Sequence, residues 1–171
     1  MNDQPRLFDL YLTGLKNAHA MESQALSIMK PQASGIEAYP EVRAKIEQHI
    51  AETEGQVERL EALLERHGTN KSMLKDAALS VAGTMAALGH VPAGDEILKN
   101  SFADYAFENF EIAAYKSLIV LAQAAGQAED ISAIEANLAE EEAMAAWLAD
   151  NVEPLTSKYV SLYAEGERAK S

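Results

Sequence analysis

Proline and glycine punctuate this sequence in clusters, and the intervals between the clusters are of helix length. Five prolines and nine glycines fall mostly at Pro31 to Gly35, Pro40, Gly68, Gly89 to Gly94, Gly126 and Pro154. Within the intervals Ala, Leu, Glu and Met dominate and apolar residues recur at three and four, while Val, Ile and Thr form no run of period two. That pattern argues against any sheet and for an all-α fold.

The spacing predicts a first helix from about Pro5 to Met29, stopped by Pro31, and a second from about Tyr39 to His67, closed by Gly68. A third runs from about Asp95 to Ala125 and a fourth from about Asp130 to Asn151, ending near Pro154. Thr69 to Gly94 forms the longest link, with a shorter helix over Ser72 to Leu88. Two helical pairs joined by one long crossover make a single four-helix bundle of ferritin-like topology over residues 1–171. The tail from Leu155 to Ser171 keeps Tyr159, Leu162 and Tyr163 in an apolar pattern, as a segment that packs or dimerises would.

Composition narrows the chemistry. Of the 171 residues none is cysteine, which excludes disulfides, thiolate metal sites and cysteine nucleophiles, so any metal must be held by oxygen and imidazole. The 27 acidic against 14 basic residues give a net charge of −13, unfavourable for nucleic acid and anionic membranes. MNDQPRLFDLYLTGLK does not read as a secretion signal, and the chain lacks 18 consecutive apolar residues. A cytoplasmic protein is expected. No phosphate-binding loop, Walker lysine, serine triad context or basic aromatic patch is present.

The informative acids are those that stand where leucines belong. On helix 1 the inward stripe reads Phe8, Tyr11 or Leu12, Leu15, His19, Glu22, Leu26, Met29. Helix 3 carries Glu108 in line with Ile112, Tyr115 and Ile119, and Glu111 in line with Phe107, Ala114 and Leu118. On helix 4 Glu141 follows Ile131, Ile134 and Leu138. The apolar centre of helix 2 follows Val42, Ile46, Ile50, Thr53, Val57, Leu60 and Leu64, with His49 and Gln56 beside it and Glu52 about 90° away, at 100° per residue. A carboxylate stripped of water is destabilising by several kcal/mol unless paired, protonated or coordinated, and lysine and arginine are scarce on these stripes. A dinuclear metal site supplies the missing positive charge. The spacing agrees, since 30 residues separate Glu22 from Glu52 and 30 separate Glu111 from Glu141, as in two pseudo-repeated halves.

The segments GLKNAHAMESQAL, EQHIAETEGQVERLE, FENFEIAAYKSLI and NLAEEEAMAAWL resemble the YciF/YciE-type family of bacterial ferritin-like proteins over almost the whole chain. The resemblance implies a homodimeric bundle related to rubrerythrins and linked to stress responses. In the ferritin and rubrerythrin pattern helices 2 and 4 each carry Glu-x-x-His. Here Gly55 follows Glu52 by three and Met144 follows Glu141 by three, whereas His49 precedes Glu52 and His19 precedes Glu22. Helix 4 has no histidine.

The candidate metal ligands are therefore Glu22, His49, Glu52, Glu108, Glu111 and Glu141, with iron or manganese as the dinuclear cofactor and zinc as a substitute. Tyr115, one turn beyond Glu111, reads either as a core tyrosine or as a donor to a carboxylate. Two readings follow. One is a metal protein with peroxide or dioxygen as small-molecule substrate; the other is a non-catalytic helical stress or interaction protein whose buried acids are hydrogen-bonded. No catalytic residue is singled out.

Overall fold

A computed structural model describes residues 3–69 and 96–166 of the chain. Four helices make up the bundle: α1 (Gln4–Gly35), α2 (Pro40–Arg66), α3 (Glu96–Ala124) and α4 (Ile131–Ala164). A short 3-10 turn, Ala128–Asp130, precedes α4. The helix expected over Ser72 to Leu88 lies outside the described residues.

Glycine closes α2 and α3 in a way other residues resist. Gly68 and Gly126 take φ of +76° and +73°. That left-handed step lets Thr69 N–H reach the Leu64 carbonyl at 2.9 Å and Gln127 N–H reach the Ala122 carbonyl at 2.8 Å, satisfying orphan carbonyls at the helix ends.

Side-chain contacts fix the directions. Asp104 meets Gln32 near the start of α3 and Tyr115 meets Glu22 farther along, so α1 and α3 are antiparallel. Arg59 meets Asn137 and Arg66 meets Asp130, so α2 and α4 are also antiparallel. Lys30 meets Glu54 and His19 meets Glu61, so α1 and α2 are antiparallel as well, and α2 and α3 therefore run the same way, the relation that a single crossover requires. The core between them includes Tyr11, Leu15, Met21, Ile46, Leu60, Leu64, Ile134, Met144 and Leu148, all nearly inaccessible. Each such aliphatic side chain contributes about 1.5–3 kcal/mol through burial. No helix among the described residues is long and apolar enough to cross a membrane.

Two helix ends differ from expectation, both at proline. Pro31 lies inside α1 and Pro154 inside α4, although each lacks an N–H and crowds the carbonyl four residues back. Packing beyond each proline outweighs that cost. After Pro31, Gln32, Ala33 and Ile36 are buried, and Gln32 Nε2 donates to Asp104 Oδ2 at 2.6 Å. After Pro154, Leu155 is buried and Tyr159 and Leu162 pack on the core. Lys158 reaches Glu41 at 2.9 Å and lies 5.0 Å above the Tyr39 ring. The tail is thus a continuation of α4 as far as Ala164.

Candidate metal centre

Five ionisable side chains from all four helices turn into the middle of the bundle. Glu22 on α1, His49 on α2, Glu108 and Glu111 on α3 and Glu141 on α4 each expose 3% or less of their surface. Glu108 and Glu111 are three apart, so one helical face presents both inwards. On α2 the buried line runs Val42, Ile46, His49, Thr53, Gln56, Leu60. The helix is rotated toward His49 and Gln56 relative to its apolar pattern, leaving Ile50 only partly buried.

His49 organises one half of the cluster. Its Nε2 lies 3.3 Å from Glu108 Oε1 and 3.4 Å from Glu141 Oε2, too long for strong charge-assisted hydrogen bonds. One ligating atom from each of the three falls within 4.8 Å of the others, a group able to hold a metal ion. The other ring nitrogen, Nδ1, lies 3.1 Å from Glu52 Oε2. Glu52 thus stands at the rim with 28% of its side chain exposed, and Gln48 Nε2 donates to its second oxygen at 2.7 Å. The pseudo-repeat is inexact at this point, because Glu141 is wholly buried while α2 turns His49 inwards in place of Glu52.

Glu22 and Glu111 make up the other half. Tyr115 Oη donates to Glu22 Oε1 at 2.5 Å, the donor role expected of that tyrosine as one alternative. His19 points elsewhere, 3.5 Å from Glu61. His67 sits at the end of α2 with its Nε2 2.6 Å from Asp130.

The electrostatics are those of crowded, dry acids. Burial, then the charges of Glu22, Glu141 and Glu108, push the Glu111 carboxyl well above the usual range. Burial and the Glu141 charge do the same to Glu22, against the opposing hydrogen bond from Tyr115. Glu108 is raised to about 8, burial again outweighing His49. Glu141 is the exception, held below the ordinary value because His49 and Glu108 overcome its burial. His49 is pushed up to about 11, since Glu108 and Glu141 outweigh the desolvation that would lower it.

The oxygen inventory tests whether a metal fits. Glu22 Oε2, Glu108 Oε2, Glu111 Oε1 and both oxygens of Glu141 are buried without a hydrogen-bond partner. Among the described residues no lysine or arginine pairs with any of these four acids. Buried polar atoms are ordinarily satisfied, so unpartnered oxygens converging beside one imidazole are a donor set complementary to hard or borderline cations.

Sequence patterning missed the groups behind this cluster. Asn137 is wholly buried, donating to Tyr115 Oη at 2.9 Å and accepting from Arg59 Nε at 2.5 Å. Its place three residues after Ile134 and four before Glu141 puts it on the inward face, a signal that choosing Leu138 for the stripe obscured.

Two solved structures share this build. The crystal structure of protein XCC3681 from Xanthomonas campestris pv. campestris str. ATCC 33913 is 30% identical, with a TM-score of 0.76, covering 96% of this chain and 99% of that one. YcfI from Rhodopseudomonas palustris is 22% identical with a TM-score of 0.62, covering 84% of this chain and 92% of that one, and speaks to the fold alone. The likeness to XCC3681 fits a YciF-like helical family. The family described as a domain of unknown function, DUF892, matches residues 6–161. That span contains every acid of the cluster and His49, and the chain belongs to the DUF892 family.

Proposed function

We propose that this is a ferritin-like metal protein whose bundle interior holds two iron or manganese ions. The observation that carries the reading is the set of five buried carboxylate oxygens without partners, those of Glu108 and Glu141 belonging to residues grouped with the His49 imidazole, with no lysine or arginine paired to the four acids among the described residues. His49 Nε2, Glu108 and Glu141 would hold one ion, and Glu22 and Glu111 the other. Such ions supply reversible one-electron chemistry toward a small oxidant such as peroxide or dioxygen.

The chain's own residues set the conditions for that chemistry. With the His49 proton kept on Nδ1, Glu52 accepts its hydrogen bond and leaves Nε2 free to ligate. Tyr115 occupies Glu22 Oε1 and leaves Oε2 free. Met21, Met144 and Leu118 are buried in the core, and a dry apolar surround strengthens charge interactions inside. A homodimer and a role in stress responses follow from the resemblance to the YciF/YciE type.

Elemental analysis of protein purified without chelator, alongside the Glu22→Ala plus Glu141→Ala variant, tests the reading. About two metal ions per chain, lost in the variant, are expected. Substoichiometric metal unaffected by the substitutions would instead indicate a helical interaction protein with hydrogen-bonded acids.

A further inference from the structure

We propose that Arg59, Asn137 and Tyr115 form a hydrogen-bonded series of fixed polarity that orients Glu22 and presents its Oε2 to the metal. This rests on the metal-binding reading above and adds three positioning residues to it.

The polarity follows from the outermost member. A guanidinium has donors and no acceptor, so the Asn137 atom that meets Arg59 Nε at 2.5 Å must be the amide oxygen. The amide nitrogen then faces Tyr115 Oη at 2.9 Å and donates to it. With its oxygen accepting from Asn137, the Tyr115 hydroxyl directs its proton to Glu22 Oε1, 2.5 Å away. Asn137 and Tyr115 are both 0% exposed, so water does not compete at either joint.

Arg59 is itself held from the surface side. It pairs with Glu140, and Gln56 Nε2 donates to the same Glu140 oxygen at 3.0 Å. The series therefore takes Arg59 from α2, Asn137 from α4, Tyr115 from α3 and Glu22 from α1, crossing all four helices. Its inner end leaves a single Glu22 atom, Oε2, buried and without a partner. A carboxylate anchored through one oxygen keeps the other in place as a one-atom ligand. Partners of this kind commonly change metal affinity about 10–100-fold when removed.

Replacing Asn137 by aspartate separates orientation from shape. An ionised aspartate still accepts from Arg59 but has no N–H, so the Tyr115 hydroxyl turns toward it and abandons Glu22. The experiment is a titration of the metal-free, full-length chain with Mn(II), reading free Mn(II) by electron paramagnetic resonance. Asn137→Asp and Tyr115→Phe should each weaken one of two bound ions about tenfold and leave the other unchanged. The double variant should be no weaker than Tyr115→Phe alone, because the two groups act in series. Arg59→Lys keeps a donor and should bind as the wild type does, whereas Arg59→Met frees the amide and should show the same weakening; this pair serves if Asn137→Asp does not fold.

Wild-type binding by Asn137→Asp, Tyr115→Phe or Arg59→Met, or losses that add in the double variant, overturn the orienting series while the metal reading stands. A wild-type chain that binds no Mn(II) overturns the metal reading itself, and the series with it.

Discussion

His49 Nδ1 lies 3.1 Å from Glu52 Oε2, and this contact turns Nε2 toward Glu108 and Glu141. The histidine-first order of His49 and Glu52 thus has a structural consequence. The carboxylate sits one turn on, at the rim, and acts on the ring from outside the cluster. Glu52→Gln is expected to reduce metal affinity about tenfold, and His49→Ala by more, because the first change loosens the ring and the second removes a ligand. Calorimetric titration of metal-free protein with Mn(II) or Zn(II) measures both. Equal affinity in Glu52→Gln and the wild type would mean that the contact orients nothing.

The metal-free protein should lose stability as pH rises. Glu108 moves from 4.5 to about 8 on folding and Glu22 and Glu111 are also raised, so their contribution is full below about pH 4.5 and is lost through their folded values. His49, raised from 6.5 to about 11, acts in the same direction above neutrality. Glu141 is lowered and loses its contribution only on acidification below its ordinary value. Thermal melts of metal-free protein from pH 5.5 to 8.5 should therefore show a falling midpoint. With metal bound the fall should shrink or reverse, because coordination replaces the protons. A midpoint that rises with pH in the metal-free protein would contradict the assignment of neutral interior acids.

Asp130 ties the far end of the bundle. Its carboxylate accepts from Tyr11 Oη at 2.7 Å and Arg66 at 2.5 Å, and meets His67 Nε2 at 2.6 Å. Phe8 and Tyr11 set their rings edge-on to His67 at 5.3 and 5.8 Å. Asp130→Ala leaves the Tyr11 hydroxyl buried and unpaired and should destabilise by about 2–4 kcal/mol in urea denaturation. Tyr11→Phe leaves Asp130 two partners and should cost about 1–2 kcal/mol. Metal affinity should be unchanged in both, since Tyr11 and Glu22 lie about 16 Å apart along α1 at 1.5 Å per residue.

The prolines inside α1 and α4 are sites of local conflict. Pro31→Ala or Pro154→Ala restores a helical N–H and removes a clash worth about 3 kcal/mol in a regular helix, offset by greater freedom of the unfolded chain. A net gain of about 1–2 kcal/mol is expected for each, read from denaturation midpoints.

The bundle was legible because helix periodicity and glycine closure are local signals, and Gly68 and Gly126 end α2 and α3 as their positions suggest. The ends at Pro31 and Pro154 were not, because what carries each helix onward is distant: Asp104 for Gln32, and the core against Leu155 and Tyr159. Among the acids, Glu22, Glu111 and Glu141 declared themselves by occupying apolar stripes, and all three are buried. The inward turn of His49 depends on Glu108 and Glu141 from other helices. The roles of Arg59 and Asn137 likewise exist only across the α2 and α4 contact, which periodicity along one helix does not encode.

The most direct test is anomalous scattering from crystals of the Mn(II)- or Fe(II)-loaded protein, recorded on both sides of the metal absorption edge. Two peaks are predicted inside the bundle, one beside His49 Nε2, Glu108 and Glu141 and one beside Glu22 Oε2 and Glu111. Metal peaks confined to the protein surface, with the five side chains closed on one another or on water, would rule out a dinuclear centre inside the bundle.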